Sequence, residues 1–332
     1  MFRKAARIYG ALLVASGVTV SLVSGQPQIQ SGRAIPLAST SSPLAVVLTT
    51  DCGAEIDDQW TLAHLALSPE VDLQAIITTH ASSIRFSSAT AAQHAAEVLA
   101  RVSPGRLPSA RVVAGSDLPL QDVRTPRKNA GVDLLLRLSR EHSESSRLAV
   151  LVIGAGTDVA SAILQDPSIV RRIAVVSMAF IDWPGGGDGF NVKNDSFAWQ
   201  VILGSDVPVV IGSGAVALRD LKLTRAEARA LMQSHGSVGG YLYGLFDDFL
   251  TQQADLVARL GTPGTWAIWD EVVVAYVLGL ARGKEVPRPR LESDLSFSHP
   301  ETARRLTWLT EIDTERLWRD FTGKIDARGA RQ

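Results

Sequence analysis

Thr50-Asp51-Cys52-Gly53-Ala54-Glu55-Ile56-Asp57-Asp58 follows directly on the apolar, β-branched run Ala45-Val-Val-Leu-Thr-Thr50. A short apolar run that ends in turn residues reads as a strand of a parallel sheet, buried on both faces. From Asp57 to Leu67 the apolar residues recur at helical spacing, so the acidic stretch is a strand-to-helix turn. Ligand sites of open α/β sheets lie outside the carboxyl ends of the strands, where this turn falls. Four carboxylates, Asp51, Glu55, Asp57 and Asp58, crowd into eight residues. Like charges at this density repel unless a cation neutralises them, and an oxygen-only donor set suits Ca2+ or Mg2+ rather than zinc. Gly53 and Ala54 let the turn close tightly, so that Asp51 and Asp58 can face one point. Helix capping would account for Asp57 and Asp58 in a first helical turn, but it leaves Asp51 and Glu55 without a reason.

Outward from this turn, strand-like and helix-like segments alternate. Strands are expected at 73–79, 111–114, 148–153, 173–178 and 207–211, and helices at 87–102, 131–141, 159–164 and 197–203. The βαβα rhythm predicts an α/β fold: a single domain over residues 44–328 with a mostly parallel, open sheet flanked by helices. Beyond residue 220 the pattern is mainly helical, with helices expected at 224–232, 238–260 and 269–280. An edge strand at 304–311 and a closing helix at 314–322 follow.

The N-terminus has a different character. Arg3, Lys4 and Arg7 precede an apolar stretch from Ala11 to Val23, which ends in the small residues Ser24 and Gly25. This is the pattern of a cleaved secretory signal peptide over residues 1–25, implying export to a periplasmic or external space. An uncleaved membrane anchor is the alternative, though the stretch falls short of the ~20 apolar residues that a spanning helix needs. Residues 26–43, rich in Ser, Gln and Pro, read as a flexible lead-in.

The remaining composition excludes more than it proposes. The 332 residues carry a net charge of −1, which offers nothing for nucleic acid to bind. A lone cysteine, Cys52, forms no internal disulfide, and no Cys/His cluster has zinc spacing. Val152-Ile-Gly154-Ala-Gly156 looks like a dinucleotide-binding turn but lacks the third glycine and the later acidic residue. There is no phosphate-binding Walker loop and no Gly-x-Ser-x-Gly nucleophile elbow.

The acidic turn resembles the N-terminal signature of inosine-uridine nucleoside hydrolases, one form of which reads Asp-x-Gly-x-Asp-x-Asp-Asp. Asp51, Gly53, Asp57 and Asp58 match; Glu55 stands where Asp is usual, and Thr49 where a further Asp is frequent. Further segments resemble the family in order: 75–79, 112–120, Ile153-Gly-Ala-Gly-Thr-Asp-Val-Ala160, 173–178, Phe190-Asn-Val-Lys-Asn-Asp195 and Trp269-Asp270-Glu271-Val-Val-Val-Ala275. Each is weak alone, but their common order over residues 44–325 makes the resemblance specific.

The resemblance implies a Ca2+ held by Asp51, Asp58, the Ile153 carbonyl and Asp270. It further implies that Asp51 is the general base for a water attacking C1′ of a nucleoside, with Asp57 and Asn191 on ribose hydroxyls. It also implies a homodimer or homotetramer. Several positions depart from the pattern. Gly189 stands where a Glu often binds the 5′-hydroxyl, with Asp188 beside it as a substitute; Ser83 falls where an Asn is expected. Trp269 replaces a His that helps the base to leave in some members, and could stack on a base instead. His80, after the second strand, is a further candidate for the pocket. These departures keep two other readings open: hydrolysis of another glycoside, or calcium-dependent binding of a sugar or nucleoside without turnover.

Overall fold

A computed structural model describes residues 42–104, 111–187, 189–259 and 263–330. The expected signal peptide, most of the lead-in and Asp188 lie outside the described residues.

The first half follows the expected alternation. Strand β1 (Leu44–Thr50) leads through the acidic turn to α1 (Asp57–Leu67), and then come β2 (Val71–Thr78), α2 (Ser88–Val102) and β3 (Arg111–Ala114). The chain crosses back through α3 (Ala130–Ser139) to β4 (Leu148–Val152), α4 (Thr157–Gln165) and β5 (Ile173–Met178). The short α5 (Phe190–Asn194), α6 (Ser196–Gly204) and β6 (Val209–Gly212) complete it. The second half holds α7 (Gly214–Asp220), β7 (Lys222–Thr224), α8 (Arg225–Met232), α9 (Gly236–Gln252), α10 (Ala254–Arg259), β8 (Thr265–Ala267) and α11 (Glu271–Val277). It ends with β9 (Ala281–Pro287), β10 (Arg290–Leu291), β11 (Phe297–Ser298), β12 (Arg305–Ile312) and α12 (Thr314–Gly329).

Eight strands form one sheet in the order β3-β2-β1-β4-β5-β6-β12-β9. Every neighbouring pair is parallel except β12 with β9. Side chains that alternate along a strand feed two cores. Val46 and Leu48 of β1 pack with Trp60, Leu62 and Leu65 of α1 on one face. Val47 packs with Val150 of β4 and Val159 of α4 on the other. This is why the strands read as unbroken apolar runs.

The topology reverses at β1: the chain first moves outward through β2 and β3, then returns to lay β4, β5 and β6 on the other side. The crevice beyond the carboxyl ends of β1 and β4 is therefore the topological switch point, the place where such sheets bind ligands.

Three expectations are corrected. The strand near 304–311 is present as β12 but is interior, parallel to β6 (Trp308 opposite Ile211) and antiparallel to β9 (Trp308 opposite Lys284). The true edge is β9, whose exposed Arg282, Lys284 and Glu285 and terminal Pro287 discourage further pairing. Its single buried side chain, Val286, left no alternation to read. The helix expected over 238–260 breaks at Gln253 into α9 and α10. The helix expected over 269–280 spans only Glu271–Val277, with Asp270 as its N-cap residue. Among the described residues, no helix is long and apolar enough to cross a membrane.

Candidate active site at the switch point

The turn after β1 is built by local geometry. The Ala54 N–H donates to the Asp51 carbonyl at 2.9 Å. Gly53 adopts φ +91°, which glycine reaches without strain, and a Cβ there would lie 2.6 Å from the His94 ring. Asp57 and Asp58 then enter the first turn of α1, where no side chain caps the helix. Asp270 arrives from the far side, at the start of α11. The turn after β4 closes against Asp51: a Cβ on Gly154 would lie 2.8 Å from the Asp51 nitrogen and 2.9 Å from its Oδ1.

These elements bring carboxyl oxygens of Asp57, Asp58 and Asp270 within 4.8 Å of one another. All three side chains are buried, as is Asp51 beside them. Two oxygens, Asp51 Oδ2 and Asp57 Oδ1, are buried with no hydrogen-bond partner. The Thr50 hydroxyl donates to Asp58 Oδ1, and the carboxyls of Asp57 and Asp270 share a hydrogen bond.

Burial sets the protonation of this cluster. It raises the Asp51 carboxyl to about 8, with the Asp57 charge adding to the effect and backbone hydrogen bonds opposing it. Asp57 rises to about 7, again through burial. Asp58 and Asp270 are pushed well above the carboxylate range by burial first and by neighbouring aspartates second. Glu55 is raised by burial and by Asp57 and Asp51. Without a cation the cluster must hold protons. A divalent ion would displace them and satisfy the two orphaned oxygens, and an all-oxygen donor set is the set that calcium takes.

The carboxylates floor a cavity of about 680 Å³. This lies inside the roughly 300–1,000 Å³ typical of small-molecule sites. Its walls include Met178, Phe180, Ile181, Phe190, Trp266 and Trp269, and α10 adds Leu256 and Arg259. Trp269 is half-buried and meets Trp266 edge-on at 6.3 Å. Asn191 is also in the wall, and its amide donates to the carbonyls of Ile153 at 3.0 Å and Met178 at 3.2 Å. The Ile153 carbonyl is thus in place at the end of β4, with Asn191 already on one of its lone pairs. Glu55 and Ser83 line the cavity as well.

His80 does not line it. Burial pushes this imidazole down to about 4, and its Nε2 lies 3.0 Å from the Thr157 hydroxyl. That hydroxyl donates to Asp195 Oδ2 at 2.7 Å, so His80 belongs to a network beneath the site. Gly189 sits against the Phe180 backbone, where a Cβ would be 2.9 Å from the Phe180 nitrogen.

Sequence reading missed the α10 wall and Phe180. Phe180 holds φ +63°, and no local residue pattern announces a left-handed phenylalanine. It also gave no role to His64 and Glu271, although a histidine inside an apolar helix and an acid directly after Asp270 were visible.

The family model described as inosine-uridine preferring nucleoside hydrolase matches residues 46–319. The chain belongs to this family, and it is a hydrolase of N-glycosyl bonds. A search of curated proteins by sequence finds no match. Among solved structures it is similar to a plant nucleoside hydrolase, the PpNRh1 enzyme (18% identity, 86% of this chain and 99% of that one, TM-score 0.67). The inosine-uridine preferring nucleoside hydrolase of Bacillus anthracis is also similar (14%, 85% and 99%, TM-score 0.62). So is the type III effector protein XopQ, in a structure with adenosine diphosphate ribose (17%, 86% and 94%, TM-score 0.64). At these identities the likeness is one of fold.

Proposed function

We propose that this chain hydrolyses nucleosides to free base and ribose in a calcium-dependent reaction, with Asp51 as the general base. The observation that carries this reading is the convergence of Asp57, Asp58 and Asp270 beside Asp51, with two orphaned carboxyl oxygens, at the floor of a walled cavity. Asp51, Asp58, Asp270 and the Ile153 carbonyl would hold the ion, and Asp57 stands close enough to Asp58 and Asp270 to share in it. When bound, calcium supplies charge stabilisation and a more acidic water.

The residues of the chain do the rest. Asp51 accepts a proton from the water whose oxygen bonds to C1′, while the glycosidic C–N bond breaks and its electron pair leaves with the base. The buried carboxylates stabilise the positive charge that develops on the sugar. Asp57 and Asn191 hold the ribose hydroxyls, which fixes C1′ for attack. Trp269 offers an aromatic face to the base, a surface that suits any nucleobase.

One observation favours a sugar that differs at its 5′ end. At position 189 the Phe180 backbone leaves no space for a side chain, so the glutamate of the family pattern has no place there. Another glycoside, or binding without turnover, is the second reading. We also propose export through the N-terminal segment, which N-terminal sequencing of the mature chain tests.

The test is release of base and reducing sugar from a panel of purine and pyrimidine nucleosides, with calcium, with chelator and with Asp51→Ala. Turnover lost in both controls is the expected result. Calcium binding without turnover of any nucleoside would sink the reading and leave the alternative sugar or the binding role.

A further inference from the structure

Behind the carboxylate cluster lies a second group of charges that the reaction does not use. His64 sits in the last turn of α1, wholly buried, with its ring stacked on Phe321 of α12 at 4.2 Å. Its Nδ1 lies 2.9 Å from Oε2 of Glu271, in α11, and its Nε2 lies 2.9 Å from Oδ2 of Asp320, in α12. The two carboxyl groups thus hold the imidazole ring at both of its nitrogens. Glu271 is fully buried, and its other oxygen, Oε1, has no partner. Asp320 is shared with Lys324, which also reaches Glu70 at 3.0 Å and the Ser68 hydroxyl at 2.9 Å.

The placement links this network to the site. α1 carries Asp57 and Asp58 at its start and His64 two turns later. α11 begins at Glu271, the residue directly after Asp270. The His64–Glu271 bond therefore ties together the two helices whose beginnings supply the converging carboxyls.

We propose that His64 is a positioning residue for the cation: its bond to Glu271 fixes α11 against α1 and so holds Asp270 in register with Asp57 and Asp58. The inference rests on the reading that these carboxylates bind calcium. Groups behind a ligand set typically change metal affinity by about 10–100-fold when removed.

The experiment is calcium titration by calorimetry on chelator-stripped full chain, paired with thermal melts. In His64→Leu, which has no donor for Glu271, the calcium Kd is expected to rise at least about tenfold. Glu271→Gln keeps an acceptor for Nδ1 and is expected to bind calcium near the wild-type level. Lys324→Met weakens the outer end of the same network without touching α11. It is expected to lower Tm while leaving the Kd unchanged, which separates general destabilisation from positioning. Should His64→Leu not fold, His64→Leu/Glu271→Leu removes both buried polar side chains together and is expected to show the same loss of affinity. An unchanged Kd in either His64 variant would overturn the proposal and leave the calcium reading intact. Absence of calcium binding by the wild type would overturn both.

Discussion

In the proposed mechanism Asp51 is the general base, and its surroundings make it separable from the fold. Its Oδ2 has no hydrogen-bond partner, so Asp51→Asn removes a base while keeping the size and shape of the side chain. Loss of general-base catalysis alone is typically worth about 10²–10⁴ in rate. A drop in kcat/KM of at least about 10², with a melting curve close to wild type, is the expected outcome of nucleoside assays on this variant; wild-type kcat/KM would remove Asp51 from the mechanism. Gly154→Ala tests the same residue from behind. Its Cβ would meet the Asp51 backbone and Oδ1 at 2.8 and 2.9 Å, distances that force a shift. Calcium Kd and kcat/KM should both worsen in this variant while far-ultraviolet circular dichroism is retained. At this scale the acidic cluster was legible, because carboxylates within one turn announce themselves. Asn191 was legible only through its motif. Its amide spans the ends of β4 and β5, a contact that sequence spacing cannot show. His80 looked like a pocket residue because it follows the second strand, but the bond to Thr157 turns it into the network beneath.

Apart from the short α5, which was not expected, the elements up to residue 212 lie within two residues of their expected limits, since apolar runs alternate with helical spacing. Beyond it the chain packs short pieces whose limits depend on tertiary contacts. The break at Gln253 has no glycine or proline to mark it, yet it lets Gln253, Leu256 and Arg259 face the cavity. β9 is almost wholly exposed, so it lacked a hydrophobic pattern. Asp195 shows how elements are joined beneath the site. Its carboxyl accepts from the Ala198 N–H at 2.9 Å, capping α6, from the Leu120 N–H at 2.8 Å and from the Thr157 hydroxyl at 2.7 Å. Asp195→Ala leaves buried donors unmet, each worth about 1–3 kcal/mol. Urea unfolding should therefore show a loss of at least about 2 kcal/mol. A loss within error of zero would mean that water replaces the carboxyl and that the junction is not a buried one.

For the molecule as a whole, the acidic cluster couples folding to pH and, on the proposed reading, to a cation. Asp51 and Asp57 titrate at about 8 and about 7 in the folded chain, against 3.8 ordinarily. Between those values the folded, cation-free protein binds more protons than the unfolded chain, so its stability falls as pH rises through that window. His64 acts in the same direction. Its folded value is raised by Glu271 and Asp320 against the effect of burial, so its contribution is present at low pH and lost as pH rises through that raised value. On the proposed reading calcium takes the deprotonated, folded form and would stabilise it by about 2.7 kcal/mol at a hundredfold excess over Kd. In chelator, Tm is expected to decline from about pH 5 to about pH 8. In saturating calcium the decline should flatten, so that the gap between the two melting curves widens as pH rises through the values of Asp57 and Asp51. Differential scanning calorimetry in paired buffers measures both curves. A gap that is constant with pH would mean that the aspartates are already ionised without the ion, and that something other than proton displacement offsets their mutual repulsion.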